Sequence, residues 1–95
     1  MEIISRDEAN KIATYQISRE NAIYQAIDRV NRLITKESNK GNFKTSILYS
    51  QFNCKDEIRK DVYNFVIDEL RESGYKVTEK YLDELSEKYI SISWE

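Results

Sequence analysis

Apolar residues follow a helical period in the first third of the chain. A capping box predicts the helix start, because Ser5 can accept a hydrogen bond from the Glu8 amide while Glu8 reaches back to the Ser5 amide. The apolar stripe weakens in the middle and returns strongly between Ile23 and Ile34. Since neither glycine nor proline interrupts the pattern before Gly41, it predicts one long helix over residues 5–38.

A second helical pattern lies in the middle of the chain. Asn53 is a suitable N-cap residue, and apolar residues follow at one-face spacing, namely Ile58, Val62, Phe65, Val66 and Leu70. The helix should end at Ser73, with Gly74 in the left-handed position and Tyr75 folding back on the last turn. The pattern predicts a helix over residues 54–73.

Three segments alternate apolar and polar residues in the manner of β-strands. They cover residues 43–50, 75–81 and 88–94, and the last two are joined by good helix formers, which predict a helical turn. The predicted fold class is α+β, in the order α-β-α-β-β. The C-terminal strands should pair antiparallel, and a three-stranded sheet should pack on the helices in a single domain over residues 1–95.

Length and composition indicate a small core and self-association. A chain of 95 residues buries a modest share of its surface, and the long helix has more apolar stripe than three short strands can cover. We therefore expect a homo-oligomer, most simply a dimer, with an interface at Ala9, Ile12 and Ala13.

Catalysis and metal binding are disfavoured by residue content. The chain has no histidine, which removes the commonest general base and most zinc sites, so we expect no enzyme, no catalytic residues, no metal site and no cofactor. The lone Cys54 cannot form an internal disulfide, which is typical of a cytoplasmic protein. No apolar run approaches the length of a membrane span, so we expect no membrane partner.

The net charge of −2 gives no general case for an anionic partner, but one region is basic. Five basic residues and one acidic residue lie between positions 29 and 44. Four of them share one side of the first helix and the fifth follows the Gly41 turn. The predicted ligand-binding set is Arg29, Arg32, Lys36, Lys40, Lys44 and Thr45. The alternative is an ordinary solvated face that carries basic residues near a helix C-terminus.

Three short motifs lie in the second part of the chain. They are the helix end and strand KGNFKTSI from Lys40, the leucine and G-Y-K-V step at Gly74, and the closing I-S-W at Ile92. Through these motifs the chain resembles, from about Ala26 to Trp94, a loosely defined group of small phage-encoded proteins of uncharacterised function. The link between the last two strands is longer here than in that group. The resemblance implies a viral origin, and with it a location in the host cytoplasm.

Three functions remain open from the sequence. The leading hypothesis is a non-enzymatic viral accessory protein that sequesters or inhibits a host component, either a host protein or an anionic nucleotide. The first alternative is a structural or scaffolding oligomer assembled through the first helix. The second alternative is a nucleic-acid binder that uses the basic stripe.

Overall fold

The computed structural model describes residues 3–95 and confirms the α+β class in the order α-β-α-β-β. Two helices and three strands are joined by short connections, two of which contain a 3-10 turn. No helix within the described residues is long and apolar enough to cross a membrane. The elements are α1 (Arg6–Asn39), β1 (Lys44–Leu48), a 3-10 turn (Tyr49–Gln51), α2 (Asp56–Glu72), β2 (Lys76–Leu82), a second 3-10 turn (Asp83–Leu85) and β3 (Glu87–Ser93).

The strands form one antiparallel sheet in the order β1-β3-β2. The last strand in the chain is therefore the central one, and β1 and β2 each pair with it rather than with each other. Ile90 lies opposite Ile47 on one side and Glu79 on the other, while Ile92 lies opposite Thr45 and Val77. Because side chains alternate along a strand, these residues face the same side of the sheet.

The core lies between that side of the sheet and the two helices. Ile90, Ile92 and Val62 are fully buried, and α1 contributes small or branched residues at its own contact face. The buried core residues are Ala22, Ala26, Val30, Ile47, Phe52, Ile58, Val62, Tyr63, Val66, Ile67, Leu70, Val77, Ile90 and Ile92. Since all of the buried strand residues point the same way, neither α1 nor α2 covers the opposite side of the sheet.

Polar contacts fix where α1 crosses α2. The Nε atom of Arg19 lies 2.5 Å from the Asp61 carboxylate, and the Tyr15 hydroxyl donates to the same oxygen at 3.5 Å. The Arg19 guanidinium also lies 5.6 Å from the centre of the Phe65 ring, a cation–π arrangement. The part of α1 that precedes this crossing is exposed along its length.

The helix ends follow the predicted capping chemistry in part, because the predicted return of the Glu8 side chain to the Ser5 amide is not formed among the described residues. The Ser5 hydroxyl accepts from the Glu8 amide at 3.2 Å. Gly41 and Gly74 both have positive φ, at 83° and 95°, where L side chains are strained. After Gly74, the Tyr75 amide returns to the Leu70 carbonyl at 3.0 Å, the long bond of a Schellman motif.

Two predicted element bounds are wrong. The strand predicted to continue to residue 50 ends at Leu48, because the Gln51 side chain accepts from the Leu48 amide at 2.8 Å and the chain turns. Asn53 does not cap α2, which begins at Asp56 with Lys55 in the N-cap position. The other predicted bounds lie within one residue of the observed ones.

Tyr63 is the largest fully buried side chain, and its hydroxyl has no hydrogen-bond partner within residues 3–95. Its ring makes edge contacts with Tyr49 and Phe52, at centroid distances of 5.1 and 5.4 Å. Burial raises the pKa of the Tyr63 phenol to about 12, and the Glu79 carboxylate adds to the rise. The fold therefore favours the protonated phenol.

We predict that Tyr63→Phe changes how stability depends on alkaline pH. The folded pKa of about 12 exceeds the reference value of 10, so the stabilisation is present below pH 10 and is lost as the pH rises towards 12. Urea unfolding should show that the free energy of unfolding falls less between about pH 8 and about pH 11 in the variant than in the wild type. At neutral pH the variant should lie within about 1 kcal/mol of the wild type, because an unpaired hydroxyl is removed.

Tyr24→Phe is the matched control for this measurement, since Tyr24 is 77% exposed. It should follow the wild-type curve at both pH values. An equal loss of unfolding free energy at alkaline pH in the wild type and in Tyr63→Phe would contradict the assignment of this pH dependence to the Tyr63 phenol.

Candidate ligand-binding cavity

A cavity of about 240 Å³ lies between α1 and the connection from β1 to α2. Its apolar lining comes from two alanines of α1, Ala22 and Ala26, together with Phe52 and Val62. The short alanine side chains leave the space that larger residues would fill. Its polar lining consists of Gln25, Asp28, Arg29, Arg32, Gln51, Asn53 and Cys54.

Arg59 in the first turn of α2 holds the outer wall of the cavity in place. Its guanidinium donates to the Phe52 carbonyl at 3.0 Å and to the Cys54 carbonyl at 2.7 Å, and it pairs with Asp56. These bonds satisfy carbonyl groups in a segment without regular secondary structure. Phe52 is thereby fixed in the core, while Asn53 stays exposed at the rim.

Two arginines supply the positive charge of the cavity. Arg32 lies 3.0 Å from the Asp28 carboxylate in an exposed pair one helical turn apart, so part of its charge is already compensated. Arg29 has no ion-pair partner within 4 Å among residues 3–95. A guanidinium presents a planar set of donors that matches a phosphate or carboxylate. Arg29 is therefore the strongest anion-binding group of this site.

Cys54 at the rim is not arranged as a nucleophile. Burial raises the pKa of the Cys54 thiol, although the neighbouring Arg59 opposes the rise. A raised pKa keeps the sulfur protonated at neutral pH, and the thiolate is the reactive form. Within residues 3–95, no group of three or more histidine, cysteine or acidic residues is placed to hold a metal ion.

The structure divides the predicted ligand-binding set. Arg29 and Arg32 meet at the cavity, and Lys36 follows on the next exposed turn of α1. Lys40 lies in the turn after α1, where its ammonium is 3.7 Å from the Glu37 carboxylate.

The last two predicted residues lie on β1 and face opposite sides of the sheet. Lys44 pairs with Ser93 on the uncovered side, whereas Thr45 pairs with Ile92 on the side that faces the helices. The turn at Gly41 therefore does not bring the lysine and the threonine hydroxyl together.

The predicted oligomer interface lies on the exposed beginning of α1. Ala9, Ile12 and Ala13 are all exposed, and Ile12 keeps 54% of its surface accessible. Further apolar side chains on the same part of the chain are exposed as well, with Ile3 at 92% and Ile17 at 61%.

Sequence reasoning missed the polar residues that complete the cavity. Gln51 and Asn53 lie in the connection that follows β1. Asn53 was predicted to cap α2, so it was not considered as a residue of the cavity rim. Gln25 lies between two apolar positions of α1, and no sequence pattern marks it as a binding residue. The polar residues Ser50, Gln51 and Asn53 after β1 were the available sequence indication of a binding site.

Comparison with protein-family models, with curated proteins and with solved structures gives no match for this chain. The resemblance to small phage-encoded proteins accordingly stays a prediction.

Proposed function

We propose that the protein is a non-enzymatic binding protein that holds a small phosphate-bearing ligand, such as a nucleotide, in the cavity between α1 and the β1–α2 connection. The observation that carries the proposal is the combination of an apolar floor with the Arg29 guanidinium at the rim, which has no ion-pair partner among residues 3–95. Small-molecule sites typically join an apolar surface to a few convergent polar groups.

The size and lining of the cavity favour a ligand with one flat apolar part. A volume of about 240 Å³ lies just below the roughly 300–1,000 Å³ that is usual for small-molecule sites. Phe52 and Val62 offer apolar contact for a ring, and the Gln25, Gln51 and Asn53 amides offer donors and acceptors around it. Arg29 and Arg32 would then hold the phosphate at the edge.

This proposal keeps the hypothesis of a viral accessory protein that sequesters a host component, with an anionic nucleotide as that component. The chain supplies charge and shape for holding such a ligand, and its lack of histidine fits binding without turnover.

We predict that Arg29→Gln weakens nucleotide binding by about tenfold, the usual value of one charge-assisted hydrogen bond. Isothermal titration with ATP, GTP and inorganic phosphate at low salt would measure it. Lys36→Gln is the matched control, because it removes the same charge two exposed turns further along α1 and outside the cavity lining. It should change affinity by less than about twofold.

Two results would contradict the proposal. Equal losses in Arg29→Gln and Lys36→Gln would indicate a diffuse charge effect of the helix. Absence of nucleotide binding by the wild-type protein at low salt would leave the arginines as a solvated face.

We also propose that the protein self-associates through the exposed beginning of α1, as a scaffolding role requires. The specific observation is the run of exposed apolar residues that includes Ile12 and Ile17, ahead of the contact between Arg19 and Asp61. Exposed apolar side chains that recur along one segment are the kind of surface that a second copy of the chain can cover.

We predict that Ile12→Asp dissociates the oligomer without unfolding the domain, because Ile12 lies outside the core. Sedimentation at micromolar concentration should give a mass above the 11.3 kDa of one chain for the wild type and the monomer mass for the variant. Thr35→Asp, an exposed change near the other end of α1, should leave the mass unchanged. A wild-type monomer throughout the concentration range would exclude this interface.

A further inference from the structure

The uncovered side of the sheet carries a regular array of lysine, hydroxyl and aromatic side chains. Strand pairing places these residues in three rows that cross the sheet from β1 through β3 to β2. The rows are Lys44, Ser93 and Lys76, then Ser46, Ser91 and Thr78, then Leu48, Tyr89 and Lys80. We call these nine residues the open face.

The open face is accessible because both helices lie on the other side of the sheet. Ile47, Ile90 and Ile92 are buried against the helices, whereas Lys44, Lys76 and Lys80 are exposed. Neighbouring strands lie about 4.8 Å apart, so Lys44 and Lys76 have backbones separated by about 10 Å. Successive rows are about 7 Å apart along the strands.

The lysines of the open face are not neutralised by their surroundings. None of the three has an ion-pair partner within 4 Å among residues 3–95. Three acidic residues border the array. Glu87 lies beyond the third row, where its carboxylate accepts from the Ser50 amide at 2.6 Å. Glu37 and Glu95 line the same pocket as Lys44. The three rows themselves contain no acid.

The chemistry of the array matches a single-stranded nucleic acid. Phosphates would meet Lys44, Lys76 and Lys80, and the serine and threonine hydroxyls of the middle row can donate hydrogen bonds to phosphate oxygens. Tyr89 lies half-buried on the central strand, where its ring can stack with an unpaired base. A protein partner would find few apolar anchors here, because Leu48 and Tyr89 are the only large apolar side chains in the rows.

We propose that the open face binds single-stranded DNA or RNA, with the three lysines on the backbone and Tyr89 against a base. This site is separate from the cavity beside α1. It also differs from the basic stripe on α1, where Arg32 and Lys40 already have carboxylate partners at 3.0 and 3.7 Å.

The test is fluorescence anisotropy with a labelled single-stranded oligothymidylate of about twelve nucleotides, a length within the range that small domains bind. Replacing Lys44, Lys76 and Lys80 together by glutamine should weaken binding at least about tenfold. It should also flatten the salt dependence, whose log–log slope for three phosphate contacts is about −2 in the wild type. Tyr89→Ala should weaken binding by about tenfold, the usual effect of losing one stacked base.

The matched control replaces Lys11, Lys55 and Lys60 by glutamine, which removes the same charge from exposed positions on the two helices. Circular dichroism and thermal midpoints establish that each variant is folded. The control should bind within about twofold of the wild type. A duplex of the same length should compete at least about tenfold more weakly, because its bases are not free to stack on Tyr89.

Three results would overturn the proposal. They are equal losses in the two lysine sets, undiminished binding after the open-face replacement, and a wild-type protein that does not bind the oligonucleotide at low salt. An Arg29→Gln variant that binds the oligonucleotide normally while losing nucleotide affinity would support two independent sites. If the wild-type protein binds the oligonucleotide but not nucleotides, the cavity proposal fails and the open-face proposal is supported.

Discussion

The fold depends on the pairing of the last strand between the first two. β1 and β2 make no ladder with each other, so the sheet exists only once β3 has paired with both of them. The same strand carries Ile90 and Ile92, which are fully buried against the helices. A single strand therefore supplies both the backbone hydrogen bonds that join the sheet and the centre of its apolar side. Contacts between distant parts of the chain therefore close the core, because β3 comes last in the chain and pairs with β1.

Covering one side of a three-stranded sheet with two helices has two consequences for binding. α1 faces the connection after β1 with the short side chains of Ala22 and Ala26, and a cavity with arginines at its rim lies between them. The opposite side of the sheet is left to solvent, and its residues are mainly lysines and hydroxyls, together with Tyr89, Leu48, Leu82 and Glu87, rather than a second apolar layer. The positive charge that looks like a single stripe in the sequence is thus divided between two surfaces, although the chain carries a net charge of −2.

Local chemistry made much of the fold predictable from sequence. The Ser5 cap, the left-handed glycines at positions 41 and 74, and the alternation of the strands each depend on neighbouring residues, and all are observed. The end of β1 was not predictable in the same way, because it depends on the Gln51 side chain returning to the Leu48 amide. The candidate sites were the hardest features to predict from the sequence. The cavity requires knowledge of how α1 lies against the connection after β1, and the open face requires the register that brings Lys76 beside Ser93.

We propose that one-sided burial of the sheet leaves two separate surfaces that bind anionic ligands. Amide chemical-shift mapping of isotopically labelled protein tests it most directly, with an oligothymidylate and ATP titrated in separate samples. We expect the oligonucleotide to change the chemical shifts of strand amides around Ser91 and Thr78. We expect ATP to change those of amides around Gln51 and Asn53. Perturbations confined to the exposed turns of α1 around Lys36 with both ligands, and unchanged strand amides, would contradict it.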